Sequence, residues 1–326
     1  MNKIGVLGAG HLGKIHIRCI LASGRFELAG FFDPNQQISE EVEKEFGIQR
    51  YPTAEALIDD CEIIDIVTPT ISHYDCASLA IKNGKHVFIE KPLTTTLYEA
   101  KKLIDLAVEA GVKVQVGHVE RFNPAFIAAQ PYFTNVMFIE THRLSQFNPR
   151  GTDVPVILDL MIHDIDIILH VVKSTVKRIS ASGVSVVSDS PDIANARVEF
   201  HNGCVANLTA SRISMKNMRK SRFFQRESYL SVDFLTKETQ VISLKDAAPD
   251  PGPFDMILDP GPGKTPKQIT IEKPVIQPIN AIQTELETFH SSIVNNTEPI
   301  VTIFDGYASL ELAYKIMDKI ESPISL

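Results

Sequence analysis

Three glycines near the start of the chain have the spacing of a phosphate-binding turn. Gly8, Gly10 and Gly13 form the pattern G-x-G-x-x-G directly after the apolar run 3–7. Gly8 would permit a tight turn, Gly10 would let the backbone approach a pyrophosphate, and Gly13 would let a helix pack closely on a strand. A helix that begins here presents N–H groups and a positive dipole end to phosphates. The spacing therefore predicts a dinucleotide site.

An acidic residue in the expected place strengthens this prediction. Asp33 follows a second strand-like run, 27–32, and stands 20 residues after Gly13. Its carboxylate can accept hydrogen bonds from the adenosine ribose hydroxyls and would repel a 2′-phosphate. Pro34 and Asn35, which follow, carry no positive charge. We expect the cofactor to be NAD rather than NADP. The alternative is that the glycines only form a tight turn and that Asp33 caps a loop.

Two further groups could act on a hydroxyl. Lys91 follows the strand-like run 86–89, at the carboxyl end where open α/β sheets bind ligands, and a desolvated ammonium there would favour a developing alkoxide. Asp159 and His163 are four residues apart in a predicted helix over 156–171, so they share one face. Asp159 could fix the imidazole tautomer while the other ring nitrogen of His163 takes a proton.

The same helix contains further residues that could bind a metal ion. Asp166 and His170 repeat the i,i+4 arrangement of Asp159 and His163. The two pairs do not point in the same direction, and no cysteine or distant ligand completes a tetrahedral set. We expect no metal.

The elements that must position these residues change in type along the chain. Residues 1–120 alternate short apolar runs with amphipathic stretches, which predicts an α/β Rossmann domain with a doubly wound parallel sheet. Residues 121–326 contain consecutive strand candidates and one strong helix, which predicts an α+β domain with a large, mostly antiparallel open sheet. The stretch 246–267, dense in Pro, Gly and Asp, is predicted to be irregular, and two helices end the chain.

Composition excludes several classes of protein. The net charge of −8 argues against general nucleic-acid binding. No apolar run is long enough to span a membrane, and the start of the chain does not resemble a signal peptide. The four cysteines are widely separated, which favours a reducing, cytoplasmic location. GPGKT, at 261–265, lacks the spacing of a phosphate loop and is read as an ordinary loop.

Five ordered motifs resemble the glucose–fructose oxidoreductase/inositol dehydrogenase (Gfo/Idh/MocA) family of NAD(P)-dependent enzymes. They are GAGHLGKIH, the segment TPTISHYDCASLAIKNGKHVFIEKPL, VGHVERFNP, DLMIHDID and DGYASLELA. The resemblance runs through the whole chain and implies hydride transfer between a sugar-type secondary alcohol and nicotinamide. It implies that Lys91 of Glu-Lys-Pro lies near the nicotinamide and the reacting hydroxyl, and that His163 is the acid/base with Asp159 beside it. The remaining implied cofactor residues are His11, Leu12, Thr68, Pro69, His73 and Glu90.

Two stretches resemble the UDP-N-acetylglucosamine 3-dehydrogenase branch more than the inositol or free-sugar branches: VGHVERFNP and the segment 142–166. The resemblance implies a nucleotide-sugar substrate, a UDP-N-acetylhexosamine, oxidised at its 3-hydroxyl. The residues that it places around the substrate are Glu120, Arg121, Asn123, Arg143 and Arg150. Arginine forks suit a diphosphate, and basic residues also concentrate at Arg212, Lys216, Arg219, Lys220 and Arg222, which could equally be a solvated face or an oligomer contact. SQFNP and Pro155 depart from the pattern of the branch and leave the particular sugar open.

The alternatives are a dehydrogenase of free sugars or inositols, and a non-catalytic dinucleotide sensor. The presence of Lys91, Asp159 and His163 argues against the sensor. Relatives also imply a homodimer or homotetramer formed through the sheet of the second domain, because an open sheet face would otherwise be a large exposed apolar patch.

Overall fold

The computed structural model describes residues 1–148 and 154–321. It divides into two compact units: Met1–Phe122 with Asn280–Glu311, and Asn123–Ile279 with the chain from Leu312 onward. A division at residue 120 places Asn280–Glu311 in the second domain, whereas these residues belong to the first unit. Their return to the first unit follows from packing, because Leu286 and Phe289 are fully buried in its core.

The first unit begins with alternating strands and helices. The strands are β1 (Asn2–Leu7), β2 (Phe26–Phe32), β3 (Ile63–Ile66), β4 (His86–Glu90) and β5 (Val114–Gly117). The helices are α1 (His11–Ser23), α2 (Gln36–Phe46), α3 (Ala54–Asp60), α4 (His73–Lys82) and α5 (Leu97–Ala110), with 3₁₀ turns at Thr70–Ser72 and Val119–Phe122. Side-chain caps start three of these helices: Asn35 accepts the N–H of Ile38, Thr53 accepts that of Ala56, and Thr96 forms a reciprocal capping box with Glu99.

The strands of the first unit form a parallel sheet in the order β2-β1-β3-β4-β5. Arg50 forms an isolated parallel bridge to Phe31 of β2. With that bridge counted as a remnant of a third strand, the order is the 3-2-1-4-5-6 of the dinucleotide-binding fold. The order reverses between β1 and β3, so ligands of this fold bind where these two strands end.

The second unit is built around a larger sheet. Its elements are α6 (Pro124–Ala129), β6 (Phe138–Leu144), a π-helical turn (Ile157–Met161), α7 (Ile162–Val172), β7 (Val176–Val184), β8 (Ile193–Phe200), β9 (Val205–Ser211), β10 (Met218–Phe224), β11 (Ser228–Asp233), β12 (Glu238–Asp246), β13 (Met256–Leu258) and β14 (Lys267–Glu272). Of the last two helices, α8 (Ala281–Val294) belongs to the first unit, and α9 (Ile303–Glu321) begins in the first unit and ends in the second.

Nine strands form this sheet in the order β13-β14-β12-β11-β10-β6-β9-β8-β7. The pairing of β6 with β9 is parallel, whereas the other pairings are antiparallel. One face carries the core, which includes Phe126, Ile165 and Phe223. The predicted fold class is confirmed: a parallel Rossmann sheet followed by a mostly antiparallel open sheet.

Three strands, β10, β13 and β14, lie where the sequence predicts none. β10 falls within the basic stretch, where Arg219, Lys220 and Arg222 precede two phenylalanines. β13 falls within 246–267, and all three of its residues are exposed. Among the described residues, no helix is both long and apolar enough to cross a membrane.

Candidate active site

The glycine turn at the end of β1 has three different environments. Gly8 has a φ of +92°, and a Cβ there would lie 2.7 Å from the carbonyl oxygen of Val67. A Cβ on Gly13 would lie 2.2 Å from the carbonyl oxygen of Gly8. Around Gly10, in contrast, the described residues leave the Cβ position open to 4 Å. The turn therefore excludes side chains where it packs on itself and offers bare backbone at Gly10, where α1 begins.

Asp33 is already oriented toward this turn. Its Oδ2 accepts the N–H of Ala9 at 2.8 Å and its Oδ1 accepts the N–H of Asn35 at 2.8 Å. Asp33 is 8% exposed. Each carboxylate oxygen keeps a lone pair for a further donor, such as a ribose hydroxyl.

A cavity of about 600 Å³ opens beside the glycine turn and Asp33. Its lining is mostly apolar with a few polar groups, as in small-molecule sites generally. The lining residues are Leu7, Gly8, Gly10, His11, Leu12, Phe32, Asp33, Pro34, Asn35, Ile38, Ala54, Val67, Thr68, Pro69, Ser72 and Cys76. This includes most of the residues that the sequence assigns to the cofactor. A bare backbone at a helix start, an oriented carboxylate and apolar walls fit a nicotinamide dinucleotide.

Two further predicted cofactor residues lie at the end of β4, where Glu90 is the last residue of the strand and Lys91 follows it. Lys91 is half-buried, and its N–H donates to Glu90 Oε2 at 3.1 Å. Glu90 Oε1 lies 3.3 Å from Nε2 of His16, whose Nδ1 lies 3.0 Å from Asp65 Oδ2. Burial raises the pKa of Glu90, but the His16 ring and Lys91 lower it more, so the carboxyl stays ionised.

His73 joins two loops of this region. Its Nδ1 lies 2.9 Å from the carbonyl oxygen of Pro92, and its Nε2 lies 2.9 Å from that of Thr68. The ring is 1% exposed, and burial lowers its pKa. These contacts favour a role in holding the two loops over the predicted direct contact with the cofactor.

The three predicted substrate residues of VGHVERFNP are all buried. Glu120 is 5% exposed, and Arg121, at 4%, has its guanidinium 3.4 Å from Asp305. Asn123 caps α6 by accepting the N–H of Ala125 at 3.1 Å and donates to the carbonyl of Phe234 at 3.0 Å. Both ends of its amide are bonded within the second unit, which favours a structural role over the predicted substrate contact.

Arg143 also forms a buried ion pair. Its Nε and a terminal nitrogen donate to the two oxygens of Asp164 at 2.9 and 3.0 Å, and both side chains are almost fully buried. This pair accounts for two of the five N–H donors of Arg143, and its assignment to the substrate stays a prediction. Arg150 lies outside the described residues.

The basic stretch does not form one patch. Arg212 is 5% exposed, lies 3.7 Å from Asp192 and also donates to the carbonyl of Val154. Arg222 lies 3.7 Å from Glu140 on the neighbouring strand. Arg219 and Lys220 are consecutive on β10 and so point to opposite faces of the sheet.

Asp159 and His163 lie on either side of a change in helix geometry. The N–H of Ile162 bonds to the carbonyl of Ile157, a π-type spacing, before α7 continues normally. Both Asp159 and His163 are half-exposed, whereas Asp164, in the next turn, is 3% exposed. Such π-helical turns occur often at functional sites.

The second predicted pair on this helix, Asp166 and His170, makes contacts typical of a structural role. Asp166 is fully buried, and the ring of His170 packs edge-on against Phe126 with centroids 6.0 Å apart. The described residues contain no group of three or more His, Cys, Asp or Glu side chains placed to hold a metal.

Sequence reasoning missed His16 and Asp65, which meet beneath the glycine turn. A signal for them was present. Asp65 is a lone acid in the otherwise apolar strand β3, and both residues are fully buried. A buried acid requires a partner.

Two family models match this chain. One, an oxidoreductase family with an NAD-binding Rossmann fold, matches residues 2–118. The other, a GFO/IDH/MocA C-terminal domain, matches residues 135–225.

Known dehydrogenases are similar to the chain over most of its length. UDP-N-acetylglucosamine 3-dehydrogenase of Acidithiobacillus ferrooxidans is 38% identical over 240 residues, which are 73% of this chain and 76% of the relative. A solved structure of that enzyme has a TM-score of 0.87 at 32% identity and covers 98% of both chains. The NAD(+)-dependent scyllo-inositol 2-dehydrogenase of Bacillus subtilis strain 168 is 28% identical over 333 residues, covering 95% of this chain and 91% of the relative. These similarities confirm the predicted resemblance, and the chain belongs to the GFO/IDH/MocA family of NAD-binding oxidoreductases.

Proposed function

We propose that this chain oxidises the 3-hydroxyl of a UDP-N-acetylhexosamine, with UDP-N-acetylglucosamine as the first candidate. The observation that carries the proposal is the similarity to UDP-N-acetylglucosamine 3-dehydrogenase, which extends over 98% of both chains in the structural comparison. The chain also has the Lys, Asp and His that this chemistry uses, and it resembles named dehydrogenases rather than non-catalytic proteins.

The reaction needs a hydride acceptor and a proton acceptor. NAD, held by the glycine turn and Asp33, would supply the hydride acceptor. His163 takes the hydroxyl proton as the carbonyl forms, and Asp159 stabilises the resulting imidazolium. Lys91 donates a hydrogen bond to the oxygen and stabilises the developing alkoxide, while Glu90 keeps a negative charge beside the lysine.

Removing these groups tests the assignment of roles. Lys91→Ala and His163→Ala should each lower kcat by about 10² to 10⁴, the usual contribution of such groups. The affinity for NAD should change little, because neither side chain is assigned to the adenosine or pyrophosphate. Asp159→Asn should cost less than His163→Ala. Matched controls are Lys101→Ala and His201→Ala, which remove exposed side chains of the same types. Wild-type turnover by the Lys91 and His163 variants would contradict the assignment.

Two observations favour the second candidate, a dehydrogenase of inositols or free sugars. Two donors of Arg143 bond to the buried Asp164, and the Arg121 guanidinium lies 3.4 Å from the partly exposed Asp305, so neither arginine presents a fully open fork to a diphosphate. The scyllo-inositol 2-dehydrogenase is also similar over 95% of this chain. Direct comparison of substrates separates the two candidates.

We also propose that two or four copies associate through the open face of the large sheet. A row of register neighbours crosses five strands on that face and is only half-buried: Ile242, Tyr229, Phe224, Phe138 and Val205. The row beside it, on the opposite face, is almost fully buried: Val241, Leu230, Phe223, Ile139 and Ala206. Three of these half-buried side chains form an aromatic ladder, with centroids 5.8 Å apart for Phe138 and Phe224 and 4.9 Å for Phe224 and Tyr229. A second copy of the same face would cover this apolar row.

We also propose that the chain is located in the cytoplasm. All four cysteines are free thiols, and three of them are buried. Free thiols are usual in a reducing compartment.

A further inference from the structure

Three ionisable groups are buried together directly beneath the Lys91 loop. His16 of α1 and Asp65 of β3 are fully buried, and Glu90 of β4 is 8% exposed. The His16 ring lies between the two carboxylates, with Nδ1 3.0 Å from Asp65 and Nε2 3.3 Å from Glu90. Phe88 closes one side of the ring edge-on, with centroids 5.7 Å apart. The three groups link the helix after the glycine turn to two strands of the sheet.

The two carboxylates favour a charged ring. A neutral imidazole has one N–H and would present a lone pair to one of the carboxylates, whereas an imidazolium bonds to Asp65 and places its positive charge 3.3 Å from Glu90. Burial lowers the pKa of His16, but Asp65 and Glu90 raise it more, and the pKa lies well above its usual value. Burial raises the pKa of Asp65, and the shared proton stays on the ring because the ring also faces Glu90.

Glu90 connects His16 to Lys91 of the proposed active site. Its Oε2 accepts the N–H of Lys91 at 3.1 Å, while Oε1 faces His16. Opposite Glu90 on the neighbouring strand is Gly117, where a Cβ would lie 2.8 Å from the carboxyl carbon of Glu90. The missing side chain at Gly117 therefore makes the space in which the carboxylate sits.

We propose that His16 is a positioning residue: it anchors the Glu90 carboxylate to Asp65 and thereby fixes the peptide N–H of Lys91 at the start of the catalytic loop. The proposal rests on the function proposed above only for the role of Lys91. Other charged or ionisable groups near the three are the Lys91 ammonium and the Cys19 thiol. Burying three charged groups costs stability unless each is paired, so their retention suits a demand for precise placement.

Two isosteric substitutions separate the two halves of the bridge. In His16→Asn the amide nitrogen can replace Nδ1 and keep the contact with Asp65, but it cannot reach Glu90. In His16→Gln the amide nitrogen can replace Nε2 and keep the contact with Glu90. Gly117→Ala displaces the Glu90 carboxylate without changing His16. The control, His290→Asn, changes a half-buried histidine that packs edge-on against Phe26.

Amide hydrogen exchange at Lys91 tests the proposal without a substrate. In His16→Asn and Gly117→Ala, the Lys91 N–H should exchange about tenfold faster relative to the amides of Val87 and Ile89 on the same strand. His16→Gln and His290→Asn should keep the wild-type ratio. Uniform acceleration along β4, or an unchanged ratio in both His16→Asn and Gly117→Ala, would overturn the proposal, because His16 would then act only on stability.

Kinetics with UDP-N-acetylglucosamine form the second arm. His16→Asn and Gly117→Ala should lower kcat about tenfold or more, with the dissociation constant of NAD unchanged by calorimetry, and His16→Gln should restore most of kcat. If the wild-type chain does not oxidise this sugar, the proposed substrate fails, and the exchange ratio alone decides the role of His16. If the wild type is active and His16→Asn has full kcat, the positioning role is wrong.

Discussion

Asp33 determines the expected choice between the two nicotinamide cofactors. Its carboxylate is held by the N–H groups of Ala9 and Asn35, so it cannot turn away from a 2′-phosphate without losing both bonds. We expect the wild type to bind NAD at least about tenfold more tightly than NADP, since a charge-assisted hydrogen bond is worth about 1.5–3 kcal/mol. Asp33→Asn should reduce that ratio by about tenfold.

Calorimetry with both cofactors measures the ratio directly. Glu27→Gln serves as the control, because it removes the same charge from an exposed position on β2, the strand that precedes Asp33. Tighter binding of NADP than NAD by the wild type would contradict this account of Asp33.

At the residue scale, the sequence predicts sites formed by residues close together in the chain better than contacts between residues that are far apart. The roles of the turn glycines and Asp33 can be predicted because they depend on spacing within a short segment of the chain. The pair of Arg143 and Asp164, and the contact of His16 with Asp65, join residues on different elements. The resemblance and its charge make Arg143 a substrate-binding candidate, but they do not indicate that a carboxylate 21 residues away meets its guanidinium.

The connection between β7 and β8 depends on one carboxylate. Asp192 Oδ2 accepts the N–H groups of Val186, Val187 and Ser188 at 2.8, 2.7 and 3.1 Å. Burial raises the pKa of Asp192, but these bonds and the Ser188 hydroxyl lower it more, and the pKa lies well below its usual value. A lowered pKa stabilises the folded loop above the unfolded value, about 3.9, and the stabilisation is lost as the pH falls below it.

Hydrogen-exchange protection factors of these three amides should therefore decrease from pH 6 to about pH 3 in the wild type, where the unfolded carboxyl titrates. Asp192→Asn should have low protection at every pH, because its single amide oxygen cannot replace the carboxylate. Equal pH dependence in the wild type and the variant would show that another group controls the loop.

Helix periodicity predicts the helix over 156–171 but cannot signal the π-helical turn at its start. One widened turn changes which side chains share a face only locally, and the apolar pattern of α7 continues beyond it. The sequence also does not predict the strand β10, because its basic residues obscure the alternation of the buried residues Ser221 and Phe223.

At the scale of the whole molecule, the chain order misleads about domain composition. Asn280–Glu311 follow the large sheet in sequence but complete the core of the first unit. Their apolar pattern predicts helices, yet it does not specify which core they join. Such a return depends on contacts between distant segments, as between α8 and α1.

The proposed association through the sheet face gives a testable mass. The wild type should be a dimer or tetramer in light scattering at micromolar concentration. Phe224→Glu should produce monomers, because it places a charge in the centre of the aromatic ladder. Tyr98→Glu, at a 70% exposed position on α5, should keep the wild-type mass. A monomeric wild type would refute the association.

The central proposal is oxidation of a nucleotide-linked sugar with NAD, and NADH formation tests it most directly. The purified chain should be assayed with NAD in three separate reactions. These contain UDP-N-acetylglucosamine, free N-acetylglucosamine or scyllo-inositol as the substrate. We expect kcat/KM for the nucleotide sugar to exceed that for the free sugar by about 10² or more, since two charge-assisted hydrogen bonds to a diphosphate supply that much discrimination. Equal or better turnover of the free sugar or of the inositol would contradict the nucleotide-sugar assignment.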